Sequence, residues 1–159
     1  MNTIYLLLGS NMGNSEQQLS DAILHITQQI GKVTNKSSLY ATAAWGNTNQ
    51  PDFLNQVVIV QSDLVALPIL EIILSIEKKM GRVRTIKNAS RVIDIDILFF
   101  NKEIISTANL TVPHPEIENR RFVLIPLNEL SPDFVHPVLG LTVNALLKNC
   151  TDILDVKKF

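Results

Sequence analysis

The chain has 159 residues, 46% of them hydrophobic, and its 14 basic and 15 acidic side chains give a formal net charge of −1. This length and apolar content predict one folded domain over residues 1–159 and exclude a disordered chain, while the near-neutral charge favours neither a nucleic-acid nor a membrane partner. The first residues lack a signal peptide, the apolar runs are too short to span a membrane, and Cys150 is the single cysteine. We therefore expect a soluble, cytoplasmic protein.

The hydrophobic periodicity predicts six elements before residue 101, and turn formers separate them. In chain order they are a strand at Ile4–Leu8, a helix from Ser15 to Gly31 capped by Asn14 or Ser15, strands at Lys32–Thr42 and Phe53–Gln61, a helix from Pro68 to Gly81, and a strand at Val92–Phe100. The order βαββαβ predicts an α+β, ferredoxin-like sandwich with two helices on one face of a largely antiparallel sheet. C-terminal additions follow: a hairpin at Lys102–Val112, then helices at Val123–Leu130 and Val143–Lys148.

Two aspartates, Asp94 and Asp96, form the sharpest local motif. Residues i and i+2 of a strand project to the same face with roughly 7 Å between their Cα atoms, so both carboxylates can share one metal site. Oxygen ligands without nearby cysteine favour Mg²⁺ or Mn²⁺ over Zn²⁺, and such a pair can bracket two ions roughly 4 Å apart. The solvated face of an edge strand gives the same D-x-D pattern, so only the surrounding sequence can distinguish a metal site from a solvated face.

The arginines are concentrated close to this motif. All five lie within forty consecutive residues, at Arg82, Arg84, Arg91, Arg120 and Arg121, and residues 78–91 hold six cations and no acid. Guanidinium groups bind phosphate oxygens through paired hydrogen bonds, so a basic loop that enters a metal-binding strand predicts a polyphosphate site. Phosphoryl or nucleotidyl transfer follows as a hypothesis, with a solvated basic loop or a nucleic-acid patch as the alternatives.

A flat pocket is the third predicted feature. Trp45 lies in the loop between two predicted strands, and Phe53 and Asn55 follow that loop. An aromatic face can stack on a ring while an amide reads the ring's edge. His114, held between two prolines, can donate a hydrogen bond to a phosphate, although a simple turn histidine is nearly as frequent. The chain has neither a GxxxxGK[ST] nor a GxGxxG motif, which argues against a P-loop or dinucleotide fold.

Six ordered blocks together resemble one family, the 6-hydroxymethyl-7,8-dihydropterin pyrophosphokinases of folate biosynthesis. The blocks are LLLGSNMGN at Leu6–Asn14, Thr42–Gly46, DFLNQVV at Asp52–Val58, EKKMGRVR at Glu77–Arg84, RVIDIDIL at Arg91–Leu98, and LTVPHPEIENRRFVLIPL at Leu110–Leu127. The resemblance implies a single pyrophosphokinase domain that transfers pyrophosphate from ATP to the hydroxymethyl oxygen of the pterin and leaves AMP. It further implies two Mg²⁺ ions, small-molecule partners only, and a monomer.

The resemblance also implies roles for individual residues. Asp94 and Asp96 match the magnesium ligands, and Arg82 and Arg91 match the arginines that steady the transferring phosphates. These four residues form the implied catalytic set. The positions that match ATP contacts are Glu77, Arg82, Arg84, Arg91, Ile97, Thr111, His114 and Arg120. The positions that match the pterin pocket are Thr42, Ala43, Ala44, Trp45, Phe53, Asn55 and Phe122, with the two phenylalanines on opposite faces of the ring.

Two departures from the family pattern concern loops. Ala43 and Ala44 stand where the family often has proline, which predicts a less rigid pterin-side loop. Residues 88–90 read Asn-Ala-Ser where the family usually has Trp-Gly-Pro, in a loop one residue shorter. The segment 81–90 is the predicted lid, because a polyphosphate-binding segment must open for ligand entry and close to exclude water. We expect altered loop dynamics with the chemistry retained.

Two rival classes share part of this pattern. Another two-metal transferase or nuclease on a ferredoxin-like sheet would use Asp94 and Asp96, but it would not need the ring pocket of Phe53, Asn55 and Phe122. A ferredoxin-like regulatory module that only binds a small ligand would explain the fold, but it gives no reason for the paired aspartates and the arginine cluster. The pyrophosphokinase hypothesis accounts for all of these features.

Overall fold

A computed structural model describes residues 1–43, 51–81 and 92–159. Its elements are β1 (Asn2–Ser10), α1 (Ser15–Gln29), β2 (Lys32–Lys36), β3 (Tyr40–Thr42), β4 (Phe53–Ser62), α2 (Ala66–Lys79), β5 (Asp94–Phe100), β6 (Ile105–Ser106), β7 (Thr111–Val112), α3 (Arg121–Leu130), α4 (Val143–Asn149) and β8 (Val156–Lys158). A 3₁₀ turn at Ile117–Asn119 precedes α3. Within these ranges we find no helix whose length and apolar character would let it cross a membrane.

The main sheet has the strand order β5-β1-β4-β3-β8, and β2 also pairs with β4. Each of its recorded pairings is antiparallel, and β6 pairs with β7 in a separate hairpin. The predicted βαββαβ order and antiparallel sheet are thereby confirmed, as are the C-terminal hairpin and both added helices. The strand β1 lies between the edge strand β5 and the strand β4.

Helices cover both faces of the sheet. On the first face, α1 and α2 pack against Ile4, Leu6 and Leu8 of β1, and we call it the α1/α2 face. On the second, α3 and α4 pack against Tyr5 and Leu7, and we call it the α3/α4 face. The sequence predicts two helices on one face, which α1 and α2 confirm, and the added helices bury the other. Because both faces are covered, β1 is buried continuously from residue 4 to residue 10.

The ends of α1 follow from two residues. The Asn14 side chain accepts a hydrogen bond from the Gln17 N–H at 3.1 Å, so the predicted cap is confirmed at the first of the two candidates. Gly31 follows the helix end as predicted, but close packing rather than a left-handed turn requires it. A Cβ at Gly31 would lie 2.1 Å from the Gln61 carbonyl oxygen, so only glycine lets the helix end approach β4 this closely.

Several predicted boundaries differ from the structure. The predicted strand Lys32–Thr42 is two strands, because Ser37 interrupts it: its hydroxyl accepts from the Val57 N–H, and its own N–H donates to the Val57 carbonyl. The strand predicted at Val92–Phe100 begins at Asp94 instead. The 3₁₀ turn and β8 were not predicted, since neither carries enough apolar residues to show a period.

A buried histidine makes the stability of this fold depend on pH. His136 is 4% exposed, its Nδ1 accepts hydrogen bonds from the Val138 and Leu139 N–H groups, and burial lowers the pKa of its imidazole below the usual 6.5. The unfolded chain therefore binds this proton more tightly, and the free energy of unfolding should fall as the pH drops through 6.5 towards the folded-state pKa.

Urea unfolding between about pH 7 and about pH 5.5 measures this effect. His136→Asn keeps an acceptor for the two N–H groups and removes the titration, so its unfolding free energy should depend less steeply on pH. An equal slope in the variant and the wild type would assign the pH dependence to other groups.

Candidate functional site

Three strands place Asn55, Gly9 and Asp94 in one row across the sheet. Gly9 of β1 pairs with Asn55 of β4 on one side and with Asp94 of β5 on the other. Directly opposite residues in antiparallel strands project to the same face of the sheet. Leu7 is two residues before Gly9 on β1 and pairs with Val57, and both pack on the α3/α4 face, so the row lies on the α3/α4 face as well. The amide predicted to read a ring's edge and a predicted metal ligand thus flank one glycine.

Gly9 is part of this arrangement, although the sequence shows it only as one of the turn formers that follow the first strand. A Cβ at Gly9 would lie 2.9 Å from Asn55 Oδ1 and 3.8 Å from Phe53 Cδ1. The Asn55 amide therefore packs directly over Gly9, and a side chain at position 9 would displace it. The sequence signal that would have found this contact is a glycine at the buried end of an otherwise apolar strand.

Two buried polar atoms at this end of the sheet have no hydrogen-bond partner among the described residues. They are Asn55 Nδ2 and Thr42 Oγ1, on side chains of residues that are 4% and 3% exposed. Thr42 pairs with Phe53 in the β3–β4 register, so both residues stand at the same end of the sheet. Leaving a buried donor unpaired is costly, which makes these atoms candidates to bind a polar ligand. Both belong to the predicted pterin pocket.

The paired aspartates are half-buried on β5, with Ile95 and Ile97 buried on the opposite face. The alternation that the sequence predicts is therefore present, and β5 is the edge strand of the sheet. A glutamate fixes the backbone between the two acids: the Ile95 N–H donates to Glu77 Oε2 at 2.9 Å, and Glu77 is 1% exposed. The helix α2 thus anchors the start of β5, and Glu77 lies beneath the strand.

The chemistry of Asp94 and Asp96 fits magnesium. Their carboxylates supply only oxygen ligands, and within the described ranges no third acid, histidine or cysteine joins them in a metal-binding group. Mg²⁺ demands octahedral geometry and is commonly held by one or two carboxylates, with water and substrate phosphate oxygens at the remaining positions. Two carboxylates on one strand leave those positions open. A closed site for zinc would need four protein ligands.

A cleft of about 540 Å³ lies between α2, β5 and the segment before and after the Pro-His-Pro turn. Its lining brings together several predicted ATP and metal positions: Asp96, Ile97, Thr111 and His114. Leu67, Leu70, Ile73 and Leu74 of α2 supply an apolar wall. A cleft with an apolar wall and a carboxylate in its lining suits a ligand that has a flat base at one end and metal-bound phosphates at the other.

His114 enters this cleft as a neutral hydrogen-bond donor. Burial and the charge of Arg120 lower the pKa of its imidazole, and the carboxylates of Glu116, Asp94 and Glu118 oppose that shift only in part. His114 Nδ1 accepts from the Glu116 N–H at 3.1 Å, so the proton of the neutral ring is on Nε2. The backbone N–H of His114 donates to the Leu98 carbonyl, which holds the turn against β5.

Arg120 and Phe122 lie at the start of α3. The Arg120 guanidinium carbon is 5.7 Å from the centroid of the Phe122 ring, within the range of a cation–π contact. Phe122 packs against the apolar cluster of the α3/α4 face, the face on which Asn55 and Asp94 also lie. The influence of Arg120 and Asp94 on the His114 pKa places these charges around one site.

Other predicted site residues lie outside the described ranges. They are Ala44, Trp45, Arg82, Arg84 and Arg91, together with nearly all of the predicted lid at 81–90. Ala43 is described and is exposed just after β3. The structure therefore brings together the carboxylate pair, the ring-pocket residues of β3 and β4, and the cleft residues, while the roles of the basic loop stay predictions.

One known protein family matches most of the chain. The family model described as 7,8-dihydro-6-hydroxymethylpterin-pyrophosphokinase matches residues 5–132. The 2-amino-4-hydroxy-6-hydroxymethyldihydropteridine pyrophosphokinase of Methylorubrum extorquens is 41% identical over 136 residues, which are 85% of this chain and 86% of that protein. The sequence relationship thus includes every element from β1 to α3.

Longer relatives and solved structures show the same domain within larger proteins. The folic acid synthesis protein of Dictyostelium discoideum is 38% identical over 148 residues, 93% of this chain but 22% of that protein, so the chain spans about a fifth of its length. A Plasmodium falciparum HPPK-DHPS crystal structure with pteroate superimposes with a TM-score of 0.76 at 20% identity, over 93% of this chain and 42% of that chain, and shows the fold. The chain belongs to the 7,8-dihydro-6-hydroxymethylpterin-pyrophosphokinase family.

Proposed function

We propose that this protein transfers the pyrophosphoryl group of ATP to the hydroxymethyl oxygen of 6-hydroxymethyl-7,8-dihydropterin, giving AMP and the pterin diphosphate for folate biosynthesis. The observation that carries the proposal is the row Asn55–Gly9–Asp94. It puts an amide with an unpartnered buried donor beside a carboxylate suited to magnesium. A ring and a metal-bound polyphosphate can therefore meet at one end of the sheet.

The pterin end of the site is built from β3, β4 and α3. Asn55 Nδ2 and Thr42 Oγ1 supply polar atoms for the edge of the ring, and Gly9 lets the Asn55 amide lie directly over β1. Phe53 and Phe122 supply the aromatic faces between which the ring stacks. Ala43, Ala44 and Trp45 complete this pocket in the proposal. The support is that the ring-reading residues of the described ranges share one face of the sheet.

The ATP end is the cleft beside β5. Ile97 and the leucines of α2 supply apolar surface for the adenine base, and Thr111 and neutral His114 supply polar groups along its other wall. Arg120 adds a positive charge near His114, and Arg84 adds another from the basic loop in the proposal. Glu77 is predicted to contact ATP, but its place beneath β5 supports a different role, that of fixing the strand that carries both aspartates.

Asp94 and Asp96 would hold two Mg²⁺ ions between these two ends. These carboxylates would hold the ions, and the positive charge supplied there would offset the negative charge that develops on the phosphates during transfer. Arg82 and Arg91 would steady the same phosphates through bidentate hydrogen bonds. Asp94 is in the row with Asn55, so the pocket holds the attacking hydroxyl next to this carboxylate. Positioning in line with the β-phosphorus then supplies much of the rate, and no strong base is needed.

We further propose that residues 1–159 act as one monomeric catalytic domain in the cytoplasm, on small molecules and without a nucleic-acid partner. Two observations support this. Both apolar clusters share the single central sheet, as one domain requires. Cys150, the only cysteine of the sequence, is a free thiol, as is usual in a reducing compartment.

Separation of the nucleotides after incubation with ATP, Mg²⁺ and 6-hydroxymethyl-7,8-dihydropterin tests the proposed function. We expect AMP whose formation depends on the pterin, because a pyrophosphoryl transfer removes two phosphates at once. ADP would instead indicate a single phosphoryl transfer by another kind of kinase. Tight ATP binding without any product would indicate a binding module.

Replacing Phe122 tests the aromatic pocket. Phe122→Ala should weaken pterin binding about tenfold, because stacking and apolar contact on one ring face are lost, while ATP binding changes little. Isothermal titration with each ligand measures both affinities. Phe122→Tyr keeps the ring and should bind pterin nearly as the wild type does. An unchanged pterin affinity in Phe122→Ala would remove this residue from the site.

A further inference from the structure

The C-terminal segment 152–158, which we call the strap, connects two walls of the proposed pterin pocket. At its start, Asp152 Oδ2 accepts a hydrogen bond from the Arg121 N–H at 3.0 Å, and Arg121 Nη1 donates to the Leu154 carbonyl at 3.0 Å. At its end, β8 pairs with β3, with Val156 opposite Thr42. The strap thus joins the start of α3 to the strand that carries Thr42.

Asp152 supplies the cap that α3 lacks. The N-cap position of α3 is Arg120, which makes no side-chain cap hydrogen bond, and the first turn holds no acidic residue. A carboxylate that accepts from the first N–H groups of a helix satisfies an orphan donor and interacts favourably with the helix dipole. Asp152 does this from 31 residues further along the chain. Its other oxygen accepts from the Leu154 N–H at 3.0 Å, which fixes the orientation of the carboxylate.

The burial of the strap alternates from residue 152 to residue 157. Asp152, Leu154 and Val156 are half-buried, whereas the residues between them are exposed. A period of two is the pattern of a strand that rests on a surface. The half-buried residues Asp152 and Leu154 bind Arg121 at the start of α3, and Val156 is the first residue of β8.

The two points that the strap joins lie next to proposed pterin contacts. Arg121 stands between Arg120 and Phe122 at the start of α3. Thr42 pairs with Phe53 on its other side, in the β3–β4 register. Any change in how the strap holds Arg121 therefore shifts Phe122 relative to the wall formed by Thr42 and Phe53.

We propose that Asp152 is a positioning residue: through the strap it sets the separation of the two aromatic faces that hold the pterin ring. This inference rests on the function proposed above. Asp152 itself does not touch the substrate in this account. Its effect reaches the ring through Arg121 and Phe122 on one side and through β8 and β3 on the other.

Steady-state kinetics of Asp152→Ala tests the proposal. We expect the KM for the pterin to rise about fivefold, the change in an equilibrium constant that corresponds to the loss of a typical helix cap. The KM for ATP should change less, because no residue of the strap lines the cleft beside β5. The value of kcat should stay within about twofold of the wild type, as expected when binding is weakened uniformly.

Three variants separate positioning from a general loss of stability. Asp155→Ala removes a carboxylate of the same segment that is 75% exposed and that pairs, within the described ranges, with Lys157 at 3.5 Å. It should leave all constants unchanged. Asp152→Asn keeps one acceptor oxygen and should fall between the wild type and Asp152→Ala. Arg121→Ala loses the contact with the Leu154 carbonyl, and it should raise the pterin KM more than the ATP KM.

The outcomes distinguish this proposal from the proposed function. A pterin KM in Asp152→Ala equal to that of Asp155→Ala would overturn the positioning role, even if Asp152→Ala melts at a lower temperature. An equal rise in both KM values would overturn it as well. A wild-type protein that makes no pterin-dependent AMP in the same assay would instead refute the proposed function, and the positioning role with it.

Discussion

Asp96→Ala should lower turnover by at least about a thousandfold, because the variant loses a ligand of the proposed metal site while the phosphates still need their charge neutralised. Asp96 is half-buried on the edge strand β5, so removing its carboxylate leaves little empty volume in the core. The fold should therefore persist, and the loss should appear in kcat. Turnover at saturating ATP and pterin, measured across a Mg²⁺ titration, gives the result.

The matched control for this variant is Asp133→Ala, which removes an exposed carboxylate and changes the net charge equally. It should keep full turnover, and circular dichroism should report the same fold for both variants. Near-normal activity of Asp96→Ala at saturating Mg²⁺ would remove Asp96 from the metal site. If Asp96→Ala fails to fold, circular dichroism will show it. The test is then made with Asp96→Asn, which keeps the shape of the side chain and removes its charge.

Asn55→Ala should weaken pterin binding by roughly ten- to a hundredfold, or about 1.5–3 kcal/mol, because it deletes hydrogen bonds to the ring edge in a buried pocket. The amide is 4% exposed and its Nδ2 atom has no partner among the described residues, so we expect the ring to supply the acceptor for this donor. ATP affinity should stay unchanged, since Asn55 does not line the cleft beside β5.

Asn35→Ala is the control for this second variant, because Asn35 is exposed on β2 and pairs with the same strand β4. Titration calorimetry with the pterin and with ATP separates the two affinities. The free energy of unfolding should change little in Asn55→Ala, and it can even rise, because a buried donor without a partner disappears. Equal pterin affinity in both variants would show that Asn55 does not read the ring.

Much of the fold follows from periodicity, because the core elements bury regular faces. The helical spacing of Leu19, Ile23, Ile26 and Ile30 predicts α1, and the alternation around Asp94 and Asp96 predicts β5. What periodicity cannot show is an interaction between distant segments. Ser37 divides a predicted strand through its bonds to Val57, and β8 exists because the strap is held at both ends.

The residues of the candidate site also fall into those that the sequence predicts and those that depend on contacts between distant segments. The two aspartates can be predicted as a pair from their spacing alone, and the family resemblance supplies the ring pocket and the cleft residues. The role of Gly9 depends on the register of three strands, which places Asn55 and Asp94 on either side of it. The burial of Glu77 beneath β5 is equally a tertiary fact, since 18 residues separate it from Ile95, whose N–H it binds.

The central claim is that two phosphoryl groups of ATP move together to the pterin, and the fate of the β- and γ-phosphorus atoms tests it most directly. Phosphorus NMR of a reaction with ATP, Mg²⁺ and 6-hydroxymethyl-7,8-dihydropterin follows them without a coupled assay. We predict two mutually coupled signals on the pterin product, one for each transferred phosphorus, together with the single signal of AMP. A pterin monophosphate with ADP, or inorganic pyrophosphate with no phosphorus on the pterin, would contradict pyrophosphoryl transfer by this protein.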